Sequence, residues 1–292
     1  MDDAADAGGG GAGEPGGASV EARVHEAMHR LTSAEKRAAR GLLGSYPTLG
    51  FAPVAEFAQN SGVSPPTVLR FVAELGYRSY PDFQRALREE LEERAKSPLQ
   101  RAAAAPPHPE RDLHALDHFM ARIAGNLAVT AARIPVSEFE AFAARLAEGK
   151  GACHLMGGRF TDPIAAYMEA HLRLIRPGVR RLDGRTATRA DQLIDVKPGD
   201  VAIVFDVRRY DPQLLETSAD LAARRAFTVL VTDEWISPVS RHAKIVLPCM
   251  TQTGSTWDAN AALFALVEAV IARVTELAWP AAGRRIGSLE KG

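Results

Sequence analysis

From residue 19 to residue 96, apolar positions recur three and four residues apart among many Ala, Leu, Glu and Arg, and no run of strand character interrupts them. That spacing predicts an all-helical unit. Beyond residue 150 the texture changes. Short apolar runs at 152–157, 179–182, 201–205, 227–232 and 244–248 alternate with helical stretches over 162–175, 212–225 and 257–277. Runs of this kind separated by helices predict a mainly parallel, five-stranded sheet covered on both faces, a three-layer α/β sandwich. Between the two units, 112–133 and 136–149 read as helices divided by Ile134 and Pro135, with Ser137 or a neighbour as the cap of the second. Residues 97–111, SPLQRAAAAPPHPER, carry four prolines and few large apolar side chains, which marks a linker. The expected organisation is a disordered tail over 1–18, a helical domain over 19–96, the linker, an α/β domain over 112–280 and a short tail over 281–292.

Composition adds bounds. The chain has 292 residues, 46% of them hydrophobic, enough for two domains with real cores. Its formal net charge is −1, so a case for nucleic acid has to come from a local patch. The two cysteines, Cys153 and Cys249, stand far apart without metal-ligand spacing, which argues against a zinc site or a disulfide framework and fits a reducing cytoplasm. The acidic, glycine-rich start is unlike a signal peptide, and no stretch approaches the roughly 18 continuous apolar residues of a membrane span. A soluble, cytoplasmic protein without a membrane partner is expected.

The most informative segment is VAEFAQNSGVSPPTVLRFVAELGY, residues 54–77. It divides into a short helix through Asn60, a turn at Ser61 and Gly62, and a second helix from Pro65 to Leu75 that Gly76 ends. Gly62 tolerates the positive φ of a tight turn, Ser64 is placed to cap the second helix, and Pro65 takes the first helical position, where no donor is lost. Val68, Phe71, Val72 and Leu75 form the inward stripe, and Ala58 is small where two helices cross. Ser64, Pro66, Thr67 and Arg70 are read as the outward face. This is the pattern of a helix-turn-helix whose second helix reaches base edges and phosphates in the major groove. Arg78, Arg85 and Arg88 add a local basic patch, with Arg78 the nearest of them to the motif.

Residues 31–91, with the phrases VSPPTVLRF, LGY and YPDF, resemble the N-terminal domain of RpiR-type (MurR/RpiR) bacterial transcriptional regulators. The resemblance implies operator DNA as a partner and a C-terminal sugar isomerase (SIS) domain that binds phosphosugars, in keeping with the βα texture after residue 150. It also implies that the ligand is held by loops after the first and third strands, the latter usually rich in Ser, Thr and Gly.

The chain departs from that pattern. After the third apolar run it has DVRRYD, residues 206–211, where Asp206, Arg208, Arg209 and Tyr210 replace a hydroxyl-rich turn. Three readings stand open. The arginines grip a phosphate or carboxylate while Tyr210 contacts the sugar; or Asp206 and Asp211 pair with them and fill the site; or the arginines are merely exposed. The first loop, GGRFTD, offers Gly157 and Gly158 for close backbone approach, Arg159 as a third guanidinium and Thr161 as a hydroxyl donor at a helix start. A third segment, TQTGSTWDAN at 251–260, adds Thr253 and Ser255, with Asp258 or Thr256 as the cap of the last helix.

Candidate bases for an isomerase, Glu169, His171 and Glu268, sit in amphipathic helical patterns where solvated or paired roles are the ordinary ones. No catalytic motif, metal set or cofactor is implied. The reading is a non-enzymatic, DNA-binding regulator that senses a small anionic metabolite, a phosphorylated or acidic sugar, and works as a homodimer or homotetramer. The alternatives are a sugar phosphate isomerase with a helical appendage, and a regulator whose second domain only dimerises.

Overall fold

The computed structural model describes residues 19–104, 114–182 and 186–289; the expected tail over 1–18 lies outside them. The first domain is helical: α1 (Val20–Ala27), α2 (Ser33–Gly44), α3 (Thr48–Phe51), α4 (Val54–Asn60), α5 (Pro65–Glu74) and α6 (Tyr80–Ala95). Local chemistry sets its boundaries. Thr32 and Glu35 close a reciprocal capping box at the start of α2, and Ser79 caps α6 by accepting the Asp82 N–H. Phe57, Phe71 and Phe83 fill the core with Leu42 and Leu87.

A further helix, α7 (Pro98–Ala104), lies inside the segment read as a linker. Its start is a reciprocal pair: the Ser97 N–H donates to Gln100 Oε1 at 2.7 Å and the Gln100 N–H to Ser97 Oγ at 3.1 Å. The S-x-x-Q spacing that makes this box was present in the sequence and was masked by the prolines beside it. Then come α8 (Ala115–Arg133) and α9 (Val136–Ala147). The cap expected at Ser137 or a neighbour falls on Pro135, which has no side-chain bond to give; its carbonyl accepts the Glu138 and Phe139 N–H groups as α9 begins at Val136.

The second domain alternates β1 (Cys153–Gly157), α10 (Asp162–Ile175), β2 (Val179–Arg181), α11 (Thr186–Leu193), β3 (Val201–Asp206), α12 (Pro212–Ala223), β4 (Phe227–Asp233), a 3₁₀ turn (Pro238–His242), β5 (Ile245–Cys249) and α13 (Ala261–Leu289). All four strand pairings are parallel, in the order β2-β1-β3-β4-β5. All six residues of β3, the central strand, are buried, which is why its sequence reads as an unbroken apolar run. Helices α9, α10 and α13 pack one face around Phe142, Met168 and Val270, and Leu182, Leu193, Leu214 and Leu221 cover the other. The three-layer sandwich is therefore complete. Helix α13 passes Pro280 and runs to Leu289, so 281–289 is not a tail: Ala282 is buried against the core and Arg285 donates to the Arg173 carbonyl at 2.8 Å.

The helical domain rests on the sheet's carboxyl edge. Ser19 Oγ donates to the Glu234 carbonyl at 2.9 Å and Arg241 to the Tyr46 carbonyl at 2.7 Å. At the centre of this contact Arg94 pairs with Glu90 at 2.8 Å and Glu21 at 3.3 Å, donates to the Trp235 carbonyl, and lies over the rings of Tyr46 and Tyr210.

Candidate functional site

Two places bring the expected residues together. The first is the exposed face of α5. Gly62 adopts φ +62° in the turn, and Val68, Phe71, Val72 and Leu75 are all buried, as the stripe requires. Ser64, Pro66, Arg70 and Arg78 are exposed, as are Arg85 and Arg88, although Arg85 is paired with Asp82. Thr67 is not on that face. It is only 4% exposed, because it precedes Phe71 by one turn and so shares the flank of the buried stripe; Leu69 stands outward instead. Nor does Ser64 cap the helix through its side chain: its hydroxyl pairs with Thr67 Oγ1 at 2.9 Å, and Arg70 donates to the same Thr67 oxygen at 3.3 Å.

The second place is a cleft of about 730 Å³. In the strand order 2-1-3-4-5 the direction of winding reverses between β1 and β3, and a crevice opens there beyond the strands' carboxyl ends. Gly158, Arg159 and Thr161 line it from the loop after β1. Asp206, Arg208, Arg209 and Tyr210 line it from the loop after β3, and Trp257, Asp258 and Asn260 from the segment before α13. Its size suits a small metabolite. Gly157 lies just behind it, where a Cβ would fall 2.5 Å from the backbone of Thr161 and Asp162, so this glycine serves the close approach of α10 to β1.

Several side chains have other work than expected. Thr161 is buried, and its hydroxyl donates to the Phe205 carbonyl at 2.6 Å while accepting the Gly158 N–H, so its one proton already ties β1's loop to β3. Tyr210 lines the cleft, but its hydroxyl donates to Asp233 at 2.8 Å. Asp206 and Asp211 do not pair with the arginines. The Asp206 carboxylate accepts the Ser237 hydroxyl and the Asp211 N–H, and burial pushes its pKa up to about 7. Asp211 caps α12 through the Gln213 N–H at 2.9 Å.

Arg208 is drawn into a network. Its side chain is 2% exposed; it donates to Asp258 at 3.0 Å and to the Glu93 carbonyl at 3.1 Å, and lies over the Trp235 ring. Asp258 is held from the other side by Arg101 of α7, with contacts of 2.8 and 3.3 Å. This explains why Asp258 does not start α13. Arg209 is exposed and meets no acceptor among the described residues, and Arg159 stacks only on its neighbour Phe160. Phe160 and Trp257 form an exposed edge-to-face pair at 6.1 Å. Thr253 is buried beside a smaller cavity of about 190 Å³ shared with Glu93, Lys96, Arg101, Arg208 and Ser255.

Lys96, Arg101 and Asp258 were not foreseen as members of the site. Arg101 and Lys96 come from sequence more than a hundred residues before the loop they face, with no local signal of that approach.

The candidate bases lie elsewhere. Glu169 pairs with Arg173 and Arg181, and Glu268 accepts the Tyr167 hydroxyl at 3.0 Å; neither they nor His171 line the cleft. Burial drives the Cys153 thiol up to about 12, and Cys249 is raised as well, which leaves both inert.

Residues 18–94 match the helix-turn-helix domain of the rpiR family, and residues 150–273 match the SIS domain. The N-terminal domain belongs to the first family and the α/β domain to the second. An uncharacterised HTH-type transcriptional regulator of Providencia stuartii is 38% identical over 69 residues, 24% of each chain. The match thus spans about a quarter of that relative's length. Among solved structures, the sugar isomerase domain of an RpiR transcription factor from Sphaerobacter thermophilus aligns with a TM-score of 0.56 at 21% identity, over 62% of this chain and all of that one. The Vibrio vulnificus NanR protein complexed with ManNAc-6P aligns with a TM-score of 0.53 at 17% identity, over 94% of this chain and 97% of that one. At these identities the likeness concerns the fold, and it extends across both domains. Among the described residues, no helix is long and apolar enough to cross a membrane.

Proposed function

We propose that this rpiR-type, SIS-containing chain is a cytoplasmic, DNA-binding transcriptional regulator whose second domain senses a small anionic metabolite, a phosphorylated or acidic sugar. Residues 19–96 are the operator-binding domain and 112–280, extended by the rest of α13, the sensory domain. The observation that carries this reading is that one segment belongs to both functions. The end of α6 and α7, continuous with the helix-turn-helix domain, supply Lys96 and Arg101 to the cationic cleft at the sheet's switch point. A ligand there touches the DNA-binding domain's own chain, which gives it the differential contacts that coupling demands.

On the DNA side, Ser64, Pro66, Arg70 and Arg78 are the proposed contacts, with Thr67 holding Arg70 from behind. On the ligand side, Gly158, Arg159, Arg208 and Arg209 are the proposed contacts, with Asp206, Thr253 and Ser255 as further polar contacts. Phosphosugar recognition by a protein of the same two-domain fold supports the choice of ligand class. An isomerase is not favoured, since the cleft holds none of the foreseen bases.

A homodimer is the assembly proposed. Helix α8 presents Leu116, Phe119, Met120 and Leu127 to solvent along one side, beside an apolar groove of about 360 Å³ shared with Ile134, Phe139 and Leu266. A contiguous apolar surface of this kind fits a self-complementary interface, and paired helix-turn-helix domains fit paired half-sites.

The ligand test is thermal melting of the full chain with hexose 6-phosphates and sugar acids. A true ligand at about 100 times its Kd adds about 2.7 kcal/mol, a rise of several degrees. Because Arg209 has no partner to lose among the described residues, Arg209→Ala should melt normally and lose most of that rise. Absence of a shift with every compound of both classes would defeat the sensory reading.

A further inference from the structure

We propose that the place held by the Asp258 carboxylate, between the Arg208 and Arg101 guanidiniums, is the anion subsite of the cleft, and that Asp258 fills it as an internal substitute which a phosphoryl group displaces. This deepens the sensory reading above and rests on it.

The geometry is that of a bound anion. Asp258 Oδ1 accepts from Arg208 at 3.0 Å and from Arg101 at 2.8 Å, and Oδ2 accepts from Arg101 at 3.3 Å. Two guanidiniums, one from α7 and one from the sheet domain, thus converge on one carboxylate, and two of its three short contacts share a single oxygen. The fit is incomplete. Arg208 Nε, Arg101 Nε and Thr253 Oγ1 are buried without an acceptor or partner among the described residues. Lys96 lines the same two cavities and pairs with one oxygen of Glu93 at 2.5 Å, while the other Glu93 oxygen lies 3.7 Å from Arg208. Buried donors left unmet cost free energy, so the cluster holds more donor capacity than the Asp258 and Glu93 carboxylates satisfy.

That surplus selects the displacing group. Asp258 is tethered, so its effective concentration at the arginines is high, and a free monocarboxylate offers the same two oxygens and the same charge without the tether. A phosphoryl group brings about two charges and three acceptor oxygens, enough to give each guanidinium its own fork and to meet donors now unsatisfied. The ligand's remaining atoms then lie toward Arg209, Asn260 and the Phe160–Trp257 pair, which also line the cleft. Because Arg101 belongs to α7, the subsite is complete only in the full chain.

The test measures binding of glucose 6-phosphate, inorganic phosphate and, as a control, unphosphorylated glucose to the full chain by titration calorimetry, with tryptophan emission as a second signal from Trp235 and Trp257. Asp258→Asn keeps the shape and removes the competing charge; it should tighten both phosphate probes by about tenfold. Arg101→Gln should weaken them by about tenfold, and since it lies on α7, outside the sheet domain, it keeps the question answerable if the Asp258 variant folds poorly. Glucose should not respond to either change. Tighter binding of glucose 6-phosphate than of phosphate by the parent marks a sugar phosphate as the occupant, and equal affinity marks phosphate itself. Binding to the parent that is unchanged or weaker in Asp258→Asn, or unaffected by Arg101→Gln, overturns the substitution while leaving the sensory reading intact. No phosphate binding in any form overturns the substitution, and the sensory reading falls with it only if the sugar acids also leave the melting temperature unchanged.

Discussion

Gly157 ends β1 where α10 turns back over it, and a methyl group there would sit 2.5 Å from the backbone of Thr161 and Asp162. Neither neighbour is a movable side-chain tip. Gly157→Ala should therefore destabilise the sheet domain by about 1–3 kcal/mol in urea melts, the range of a forced overpacking; an unchanged midpoint would show that α10 can retreat. The same scale explains what could be read from the sequence at the site. The residue types were legible: guanidiniums after β3, glycines after β1, hydroxyls before α13. Their partners were not. Thr161 gives its proton to Phe205, Tyr210 to Asp233, and Arg208 meets Asp258 and Glu93 rather than its neighbours Asp206 and Asp211. A side chain's partner depends on which loops converge at the sheet edge, and spacing along the chain carries no information about that.

Elements were legible wherever local chemistry and burial agree. β3 is buried on both faces and reads as one apolar run; α5 has a glycine before it, a proline at its first position and a buried stripe at helical spacing. The failures occur where a distant contact adds or removes a turn. α13 begins at Ala261 rather than near 257 because Asp258 is held by two arginines, and continues past Pro280 because Ala282 is buried in the core. α7 was hidden in a proline-rich segment despite its capping pair. α11, TATRADQL, has too few apolar residues for its period to stand out. Thr67 illustrates the limit within an element: its polarity suggested the DNA-facing side, whereas its position one turn before Phe71 places it beside the core.

At the scale of the whole molecule, the contact between domains is built on buried acids. Burial raises Glu21 to about 8 against the pull of Arg94, and Glu234 to about 7; Asp206, in the cleft wall, is also raised by burial to about 7. The ordinary values are 4.5 for the glutamates and 3.8 for the aspartate. Each group therefore binds its proton more tightly in the folded protein than in the unfolded chain. The stability this contributes is full below the ordinary values and is lost as pH rises through about 7 to 8. The melting temperature should fall from pH 6 to pH 9, and Glu21→Gln should flatten the upper part of that fall; a melting temperature that rises across the range would contradict this assignment of charge.

The central claim is that the exposed face of α5 reads DNA on behalf of a ligand-sensing partner domain. It is tested most directly by fluorescence anisotropy of the full chain on DNA from upstream of its own gene and on a shuffled fragment, at fixed near-physiological salt, with Arg70→Ala in parallel. The account predicts a specific-to-shuffled affinity ratio of about 1,000 or more for the parent. It predicts a loss of about 1–3 kcal/mol of that discrimination in the variant, since Arg70 is the guanidinium proposed to reach the base edges. Tight sequence-specific binding that Arg70→Ala leaves untouched would contradict the proposed reading face, and equal, weak binding of upstream fragments and shuffled DNA alike would contradict the regulator itself.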